Sequence, residues 1–134
     1  MHQNLSNEIL QSEFHNMEWV VSNAIDFINQ ESEDPFLLYF NPTVPHSGGD
    51  VYQALLSDCR QTPGGQFDND FIIKGMTLEY GGCEGYREFV RSRSRAMNDD
   101  VTDGGFLREL GAIWLDDAIG ALVHALVDKG ECRI

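Results

Sequence analysis

The first clear pattern is a helical repeat of apolar residues near the start of the printed sequence. From Met17 to Ile28, apolar residues recur at helical spacing, with Glu18 and Asp26 among the polar positions between them. This spacing predicts an amphipathic helix. Asn16 is its predicted N-cap, because an Asn side chain accepts a hydrogen bond from the backbone N–H groups of the first turn.

Directly after this helix comes a short, uninterrupted run of apolar and aromatic residues. The run 36–40 reads Phe-Leu-Leu-Tyr-Phe, with Pro35 before it and Asn41-Pro42 after it. Such a run between turn residues is typical of a strand that is buried on both faces. A helix followed by a buried strand predicts an α/β layer, in which ligands favour the loop past the carboxyl end of the strand. Here that loop is 41–50.

Three more helices are predicted further along the chain. A short one covers 51–59 with Asp50 as its cap, and a modest one covers 84–97. The strongest helical pattern runs from Leu107 to Val127, and Gly130 is the predicted stop just past its end.

The segment 60–82 has no comparable pattern. It is rich in Gly, Pro, Asp and Asn, and its apolar stretch 71–73 is the one strand candidate there. We therefore expect a single domain over 1–134, with an irregular excursion over 60–105.

The charge balance excludes one broad class of function. Nine Lys and Arg residues against 22 Asp and Glu residues give a formal net charge of −13. Because nucleic acids and anionic lipid surfaces are bound through positive charge, we expect neither a nucleic acid nor a membrane as a partner.

Neither the cysteines nor a targeting or membrane-spanning pattern points to a particular class of protein. Cys59, Cys83 and Cys132 are an odd number, without Cys-x-x-Cys spacing or a histidine at ligand distance, so neither a disulfide framework nor a zinc site is predicted. The sequence contains no signal-peptide pattern and no run of 18 apolar residues. The cellular compartment stays undetermined.

Two groups of residues are candidates for binding chemistry. His46 lies between prolines and glycines in the loop after the predicted strand, where an imidazole could donate a proton or bind an anionic oxygen. Arg87, Arg91 and Arg95 share one face of their predicted helix and are candidates for anion binding. The alternative for the histidine is a solvated surface residue, and for the arginines a solvated helix face that balances acidic neighbours.

Two further polar features of the last predicted helix are weaker candidates. Asp116 and Asp117 are adjacent, so on a helix they diverge by about 100° and are poorly placed to chelate one ion together. His124 lies among apolar residues, and we expect it to be a packing or surface residue.

Two segments, in order, resemble the middle of the sulfatase family. The first, 24–46, passes from Ala-Ile-Asp-Phe-Ile to the run Asp-Pro-Phe-Leu-Leu-Tyr-Phe-Asn-Pro-Thr-Val-Pro-His. The second, 111–131, contains Trp-Leu-Asp-Asp-Ala-Ile-Gly and ends in Lys-Gly-Glu. The likeness extends over about Val20 to Gly130, although 60–105 matches only loosely. Within that loose part, the stretch 58–63, Asp-Cys-Arg-Gln-Thr-Pro, is similar to some bacterial-type members.

This resemblance implies a fold and one site residue. It implies an α/β fold, a partial three-layer sulfatase-like domain with a short buried sheet core and flanking helices. His46 stands where the family has its active-site histidine, which contacts the sulfate ester. Asp116 and Gly120 match a helix motif in which these residues serve packing and capping.

The resemblance to the sulfatase family also implies that the isolated chain is inactive. The family's nucleophile is a formylglycine made from the Cys of a Cys-x-Pro-Ser-Arg motif, and no cysteine here has that context. The family's calcium ligands are also missing, so we expect no metal or cofactor in this chain and calcium only in a full-length member. Without nucleophile and metal, most of the covalent and electrostatic catalysis is lost.

Three functional readings follow. The first is a sulfatase-like protein, a sulfuric ester hydrolase by family, whose substrate would be a sulfate ester once the missing segments are supplied. The second is a noncatalytic module that binds a sulfate or phosphate ester, and the third is a fragment of a related phosphodiesterase of the alkaline-phosphatase-like superfamily. Because a partial sheet leaves apolar faces uncovered, we also expect self-association, through residues such as Ile113, Trp114 and Leu122.

Overall fold

In the computed structural model, which describes residues 15–44, 48–97 and 104–131, α-helices make up most of the fold. The helices and the two short strands of one antiparallel hairpin are α1 (Met17–Ile28), α2 (Gly48–Leu56), β1 (Gln61–Thr62), β2 (Gly65–Gln66), α3 (Cys83–Met97) and α4 (Gly104–Lys129). In the hairpin Gln61 lies opposite Gln66, and Thr62 lies opposite Gly65. A single turn of 3-10 helix, Leu78–Tyr80, precedes α3.

The last helix, α4, is the element against which the others pack. It contacts α1, α2 and α3. Leu110, Trp114 and Ala118 on its inner face are fully buried, whereas Ile119 on its outer side is half exposed. The helix is therefore apolar around much of its circumference, as is typical of a helix with neighbours on several sides.

The apolar character of α4 also bears on the membrane prediction. By length and composition alone, Arg108–Lys129 could cross a bilayer, with a mean hydropathy of 1.5 over its most apolar window. The core helix of a globular protein satisfies the same criterion, and α4 does pack against three other helices. The absence of a membrane partner therefore stays a prediction.

The first helix forms as the sequence pattern predicts. α1 begins at Met17, and the Asn16 side chain accepts a hydrogen bond from the Trp19 backbone N–H at 2.9 Å. The Asn16 amide also donates to the carbonyl oxygens of Cys59 and Gln61, each at 2.9 Å. The residue that caps the helix thus also attaches it to β1.

The other helices confirm the predicted elements but move some boundaries. α2 begins at Gly48, so Asp50 lies inside the helix and is not its cap. α3 starts one residue before the predicted range. Gly130 ends α4 with a φ of 84°, a left-handed conformation that glycine adopts at little cost.

The predicted buried strand 36–40 is wrong. The segment has no strand pairing, and Leu37 and Tyr39 are 90% and 84% exposed. A strand needs neighbouring strands to accept and donate its backbone hydrogen bonds, and the described residues supply none beside this segment. The described fold is therefore helical with a small hairpin, and a buried sheet core is not among its described elements.

The excursion 60–105 contains the predicted helix α3 and, in addition, a hairpin that the sequence pattern does not predict. The strand candidate 71–73 is not a strand. Phe71 and Ile73 are buried, and the Thr77 hydroxyl accepts from the Ile73 N–H at 2.8 Å and donates to the Phe71 carbonyl at 2.5 Å. A side chain thus satisfies the backbone groups that a neighbouring strand would otherwise pair with.

Candidate functional site

The loop predicted to carry the site lies between an extended segment and α2. His46 itself, with residues 45 and 47, lies outside the described residues. On the amino side of the loop Val44 is buried, and His15 Nδ1 and Thr43 Oγ1 form a hydrogen bond of 2.7 Å. On the carboxyl side α2 begins at Gly48. Both ends of the loop are therefore attached to the folded part of the chain.

The arginine predicted to begin the anion-binding face is instead in the protein interior. Arg87 is 1% exposed and forms a paired contact with the carboxylate of Glu18, with Nε–Oε1 and Nη2–Oε2 distances of 2.9 Å. Its guanidinium also lies over the Trp114 ring, 5.2 Å from the centroid. This buried ion pair joins α1, α3 and α4.

The same arginine satisfies the carboxyl end of α2. Arg87 Nη1 donates to the carbonyl oxygens of Ala54 and Ser57, at 2.7 and 3.1 Å. Arg91 donates to the Leu55 carbonyl. The last carbonyls of a helix have no partner within the helix, and cationic donors are favourable there.

These contacts correct the prediction of an open anion-binding face. Arg87 and Arg91 bind carbonyl oxygens and a carboxylate of the same chain, so they are not free to bind a sulfate together. The alternative of a solvated helix face is also wrong for Arg87, because it is buried. Arg95 lies in α3, and its side chain lies outside the described part of the chain.

The acidic pair on α4 diverges as helical geometry requires. Asp116 is exposed, whereas Asp117 is half-buried and accepts a hydrogen bond from the Tyr86 hydroxyl at 3.0 Å. Burial raises the pKa of the Asp117 carboxyl above its usual range. Burial, together with the neighbouring Asp117 charge, raises the pKa of the Tyr86 hydroxyl. Asp117 is thus a packing residue of the α3–α4 interface.

The second histidine of interest, His124, lies on an exposed part of α4. Its ring packs against Gly75, where an added Cβ would lie 2.5 Å from its Cδ2 atom. With Lys74 and Asp128, it lines a small cleft of about 210 Å³. Its position agrees with the prediction of a packing or surface residue.

A disulfide between Cys59 and Cys83 is the feature that the sequence pattern missed. The two Cα atoms are 6.1 Å apart, and both residues are buried. The bond joins the turn before β1 to the first residue of α3. The 23 residues between the two cysteines contain no pattern that predicts the pairing, because only the tertiary fold brings the cysteines together.

The large apolar side chains with the highest exposed fractions lie on the segment 36–39. The sequence predicts an exposed apolar face on the last helix instead. Trp114 is fully buried and Leu122 nearly so, while Ile113 is half-buried. The two most exposed are instead Leu37 and Tyr39. The packing of α1, α2 and α3 covers the inner face of α4, and the most exposed apolar side chains lie on the extended segment.

The described residues thus provide one buried ion pair and one disulfide with carboxylates beside it, and they flank on both sides the sequence segment that contains His46. Comparison with models of protein families, with curated proteins and with solved structures finds no match.

Proposed function

We propose that the chain is a segment of a sulfatase-type catalytic domain, which contributes His46 to the sulfate-ester site but neither the nucleophile nor the calcium ligands. The resemblance of 24–46 and 111–131 to that family is the starting point. The inherited activity is hydrolysis of a sulfate ester, and the 134 residues alone lack the groups that perform it.

One structural observation supports this proposal most directly, which is the alternating exposure along 37–40. Leu38 and Phe40 pack against the core, whereas Leu37 and Tyr39 point to solvent. This period of two is that of a strand with one face covered. In a three-layer domain the second face and both edges would be covered by further strands and helices.

The carboxyl end of α4 offers a second, independent support. Lys129 Nζ donates to the carbonyl of Ile28 and lies 5.3 Å from the centroid of the Phe36 ring. Glu131 lines the same cleft as Pro35 and Phe36. The carboxyl end of α4 therefore lies beside the start of the extended segment 35–40. A helix that packs beside an extended segment is what an α/β layer requires.

The chemistry assigned to the chain is limited to what His46 can supply. An imidazole beside the scissile bond can donate a proton to the leaving oxygen, which is worth about 10²–10⁴-fold in rate. Cys59 and Cys83 are joined in a disulfide, so neither is a nucleophile in this form. Attack on sulfur and the neutralisation of the sulfate oxygens then depend on residues that this sequence does not contain.

The test is to sequence the transcript on both sides of this reading frame and to assay the protein that it encodes. We expect Cys-x-Pro-Ser-Arg upstream and Asp-Asn/His-Gly downstream, and hydrolysis of an aryl sulfate by the encoded protein. His46→Ala in that protein should lower kcat/KM by at least about 100-fold, while His124→Ala, a matched change on α4, should leave it within about twofold, because His124 is in no proposed site.

Two results would contradict this assignment. One is a transcript whose mature product has neither motif, and the other is hydrolysis of the aryl sulfate by the 134-residue chain alone. A different nucleophile upstream would favour the phosphodiesterase reading. The binding-module reading has less support, because Arg87 and Arg91 are occupied by internal contacts.

The exposed face of 36–39 predicts self-association of the isolated chain. Burying a Leu or an aromatic side chain contributes about 1.5–3 kcal/mol, so Leu37→Ser with Tyr39→Ser should weaken self-association by at least about tenfold. Sedimentation over a range of protein concentrations measures the effect. Ile119→Ser, at an exposed apolar residue of α4, is the matched control and should change it little. A wild-type chain that stays monomeric at all concentrations would show the prediction to be wrong.

A further inference from the structure

The disulfide lies at the base of a cleft that is lined by carboxylates. The cleft has a volume of about 420 Å³ and lies between the turn before β1 and the amino end of α3. The residues that line it are Asp58, Cys59, Arg60, Asp70, Cys83 and Glu84. We refer to it below as the Cys59–Cys83 cleft.

Ligand-type atoms of two overlapping groups of side chains converge in this cleft. The sulfurs of Cys59 and Cys83 and a carboxylate oxygen of Asp70 all lie within 4.8 Å of one another. The Cys59 sulfur also lies within 4.8 Å of carboxylate oxygens of Asp58 and Glu84. The first group is a mixed set of two sulfurs and one carboxylate, which differs from an ordinary acidic surface cluster, and the second group shares only Cys59 with it.

Backbone hydrogen bonds hold two of these carboxylates toward the sulfurs. Asp70 Oδ1 accepts from the Cys83 N–H at 3.2 Å, and Glu84 Oε1 accepts from the Cys59 N–H at 3.3 Å. Each carboxylate therefore accepts a hydrogen bond from the backbone of one cysteine. In both cases the carboxylate and that cysteine are distant in the sequence. These hydrogen bonds favour side-chain conformations in which the carboxylate oxygens lie beside the sulfurs.

The backbone beside Asp70 is shaped to admit its carboxylate. Gly82 has a φ of 131°, and an added Cβ there would lie 2.1 Å from Asp70 Oδ2. Any side chain at this position would displace the carboxylate. The glycine thus provides the space in which Asp70 reaches the cysteine pair. The shape of the backbone here is a separate observation from the hydrogen bonds described above.

We propose that reduction of the disulfide converts the Cys59–Cys83 cleft into a binding site for zinc, with the two thiolates and Asp70 as ligands and Glu84, which lies beside the Cys59 sulfur, as the candidate fourth ligand. In the reducing step a dithiol gives up two electrons and two protons and becomes a disulfide, and the protein S–S bond becomes two thiols. Zinc then binds the two sulfurs, and their protons pass to solvent.

The geometry suits this ion. Zinc takes four ligands from sulfur, nitrogen and carboxylate oxygen in a tetrahedron, with Zn–S bonds of about 2.3 Å, which places two bound sulfurs about 3.8 Å apart. The Cα separation of 6.1 Å allows the side chains to open to that distance. Cys83 is the first residue of α3, where the partial positive charge of the helix favours a thiolate.

Harder ions fit the cleft less well. Calcium and magnesium prefer six or more oxygen ligands, whereas this donor set is half sulfur. In the disulfide form the sulfurs are bonded to each other and provide no thiolate, so the proposed site exists only in the reduced protein. Zinc affinity is therefore coupled to the redox state of the chain.

The test uses cobalt as a spectroscopic substitute for zinc in the 134-residue protein. Every sample carries Cys132→Ser, so that the two cysteines of the cleft are the only thiols. After anaerobic reduction and removal of the reductant, we expect one equivalent of Co²⁺ to give a thiolate-to-cobalt charge-transfer band that zinc abolishes. The oxidised protein should give no such band. Far-UV circular dichroism follows the fold of each sample, and a reduced chain that has unfolded should regain helix when it binds the ion.

Single variants assign the ligands. Asp70→Asn and Glu84→Gln should each weaken cobalt binding by about tenfold or more, because even changes outside the ligand set of a metal site have effects of that size. Asp116→Asn, an exposed carboxylate on α4, is the matched control and should not change binding. The proposal is overturned if the reduced protein gives no charge-transfer band, or if both ligand variants retain the affinity of their parent.

Discussion

Replacing Arg87 by alanine should lower the free energy of unfolding by about 3–5 kcal/mol, because removal of one partner leaves a buried charge without compensation. Glu18 is fully buried, so its carboxylate would have neither a cationic partner nor water to solvate it. The carbonyl oxygens of Ala54 and Ser57 would lose their donor at the same time. Chemical denaturation, followed by circular dichroism, measures this change.

Two comparisons make the result specific to the buried pair. Lys74→Ala removes an exposed ion pair with Asp128, and it should change stability by less than about 1 kcal/mol. Replacing both partners, Glu18→Leu with Arg87→Met, should recover much of the loss, since no buried charge then remains unpaired. A loss below about 1 kcal/mol for Arg87→Ala would contradict the structural role assigned to this arginine.

Removing the disulfide should lower the free energy of unfolding by about 3 kcal/mol, as expected for a loop of this length. The bond joins residues separated by 24 positions, and without it the unfolded chain gains conformational freedom. Cys59→Ser with Cys83→Ser, in the presence of a metal chelator, shows the effect in denaturant unfolding. In the reduced parent protein, which is compared below, the chelator prevents zinc from linking the two thiols in place of the lost bond.

The reductant provides the internal control for this prediction. It should destabilise the parent protein by about the same 3 kcal/mol, and it should have no further effect on the double serine variant. If reduction leaves the unfolding midpoint of the parent unchanged, the Cys59–Cys83 bond is not part of the folded protein. That result would also contradict the proposed redox control of zinc binding, because the oxidised form of the site would not exist.

The buried arginine and the disulfide show why composition and spacing did not reveal these roles. Arg87, Arg91 and Arg95 do share a face of α3 in sequence, and an exposed face of that kind would suit an anion. The partners of the first two, however, include carbonyls at the end of α2, at least 30 residues earlier in the chain. Periodicity describes which residues share a face and says nothing about what packs on it.

For Arg87 the sequence predicted exposure where the structure shows burial. For the apolar run 36–40 it predicted burial where the structure leaves one face exposed. Its composition is that of a strand with two covered faces, and the prediction treated that composition as sufficient. The structure gives the run an extended path with one face on the core and the other in solvent. The proposed sulfatase-type domain accounts for both observations, since its remaining strands and helices would supply the missing partners.

The sequence by itself determined the local elements: α1 with its Asn16 cap, α3, α4 and the glycine that ends α4. Those features depend on residues within a few positions of one another, so spacing and capping preferences are enough to predict them. The tertiary structure alone decided the Glu18–Arg87 pair, the disulfide and the open face of 36–39. Each depends on segments that are distant in the chain and meet only when the helices pack, and no local pattern encodes such a meeting.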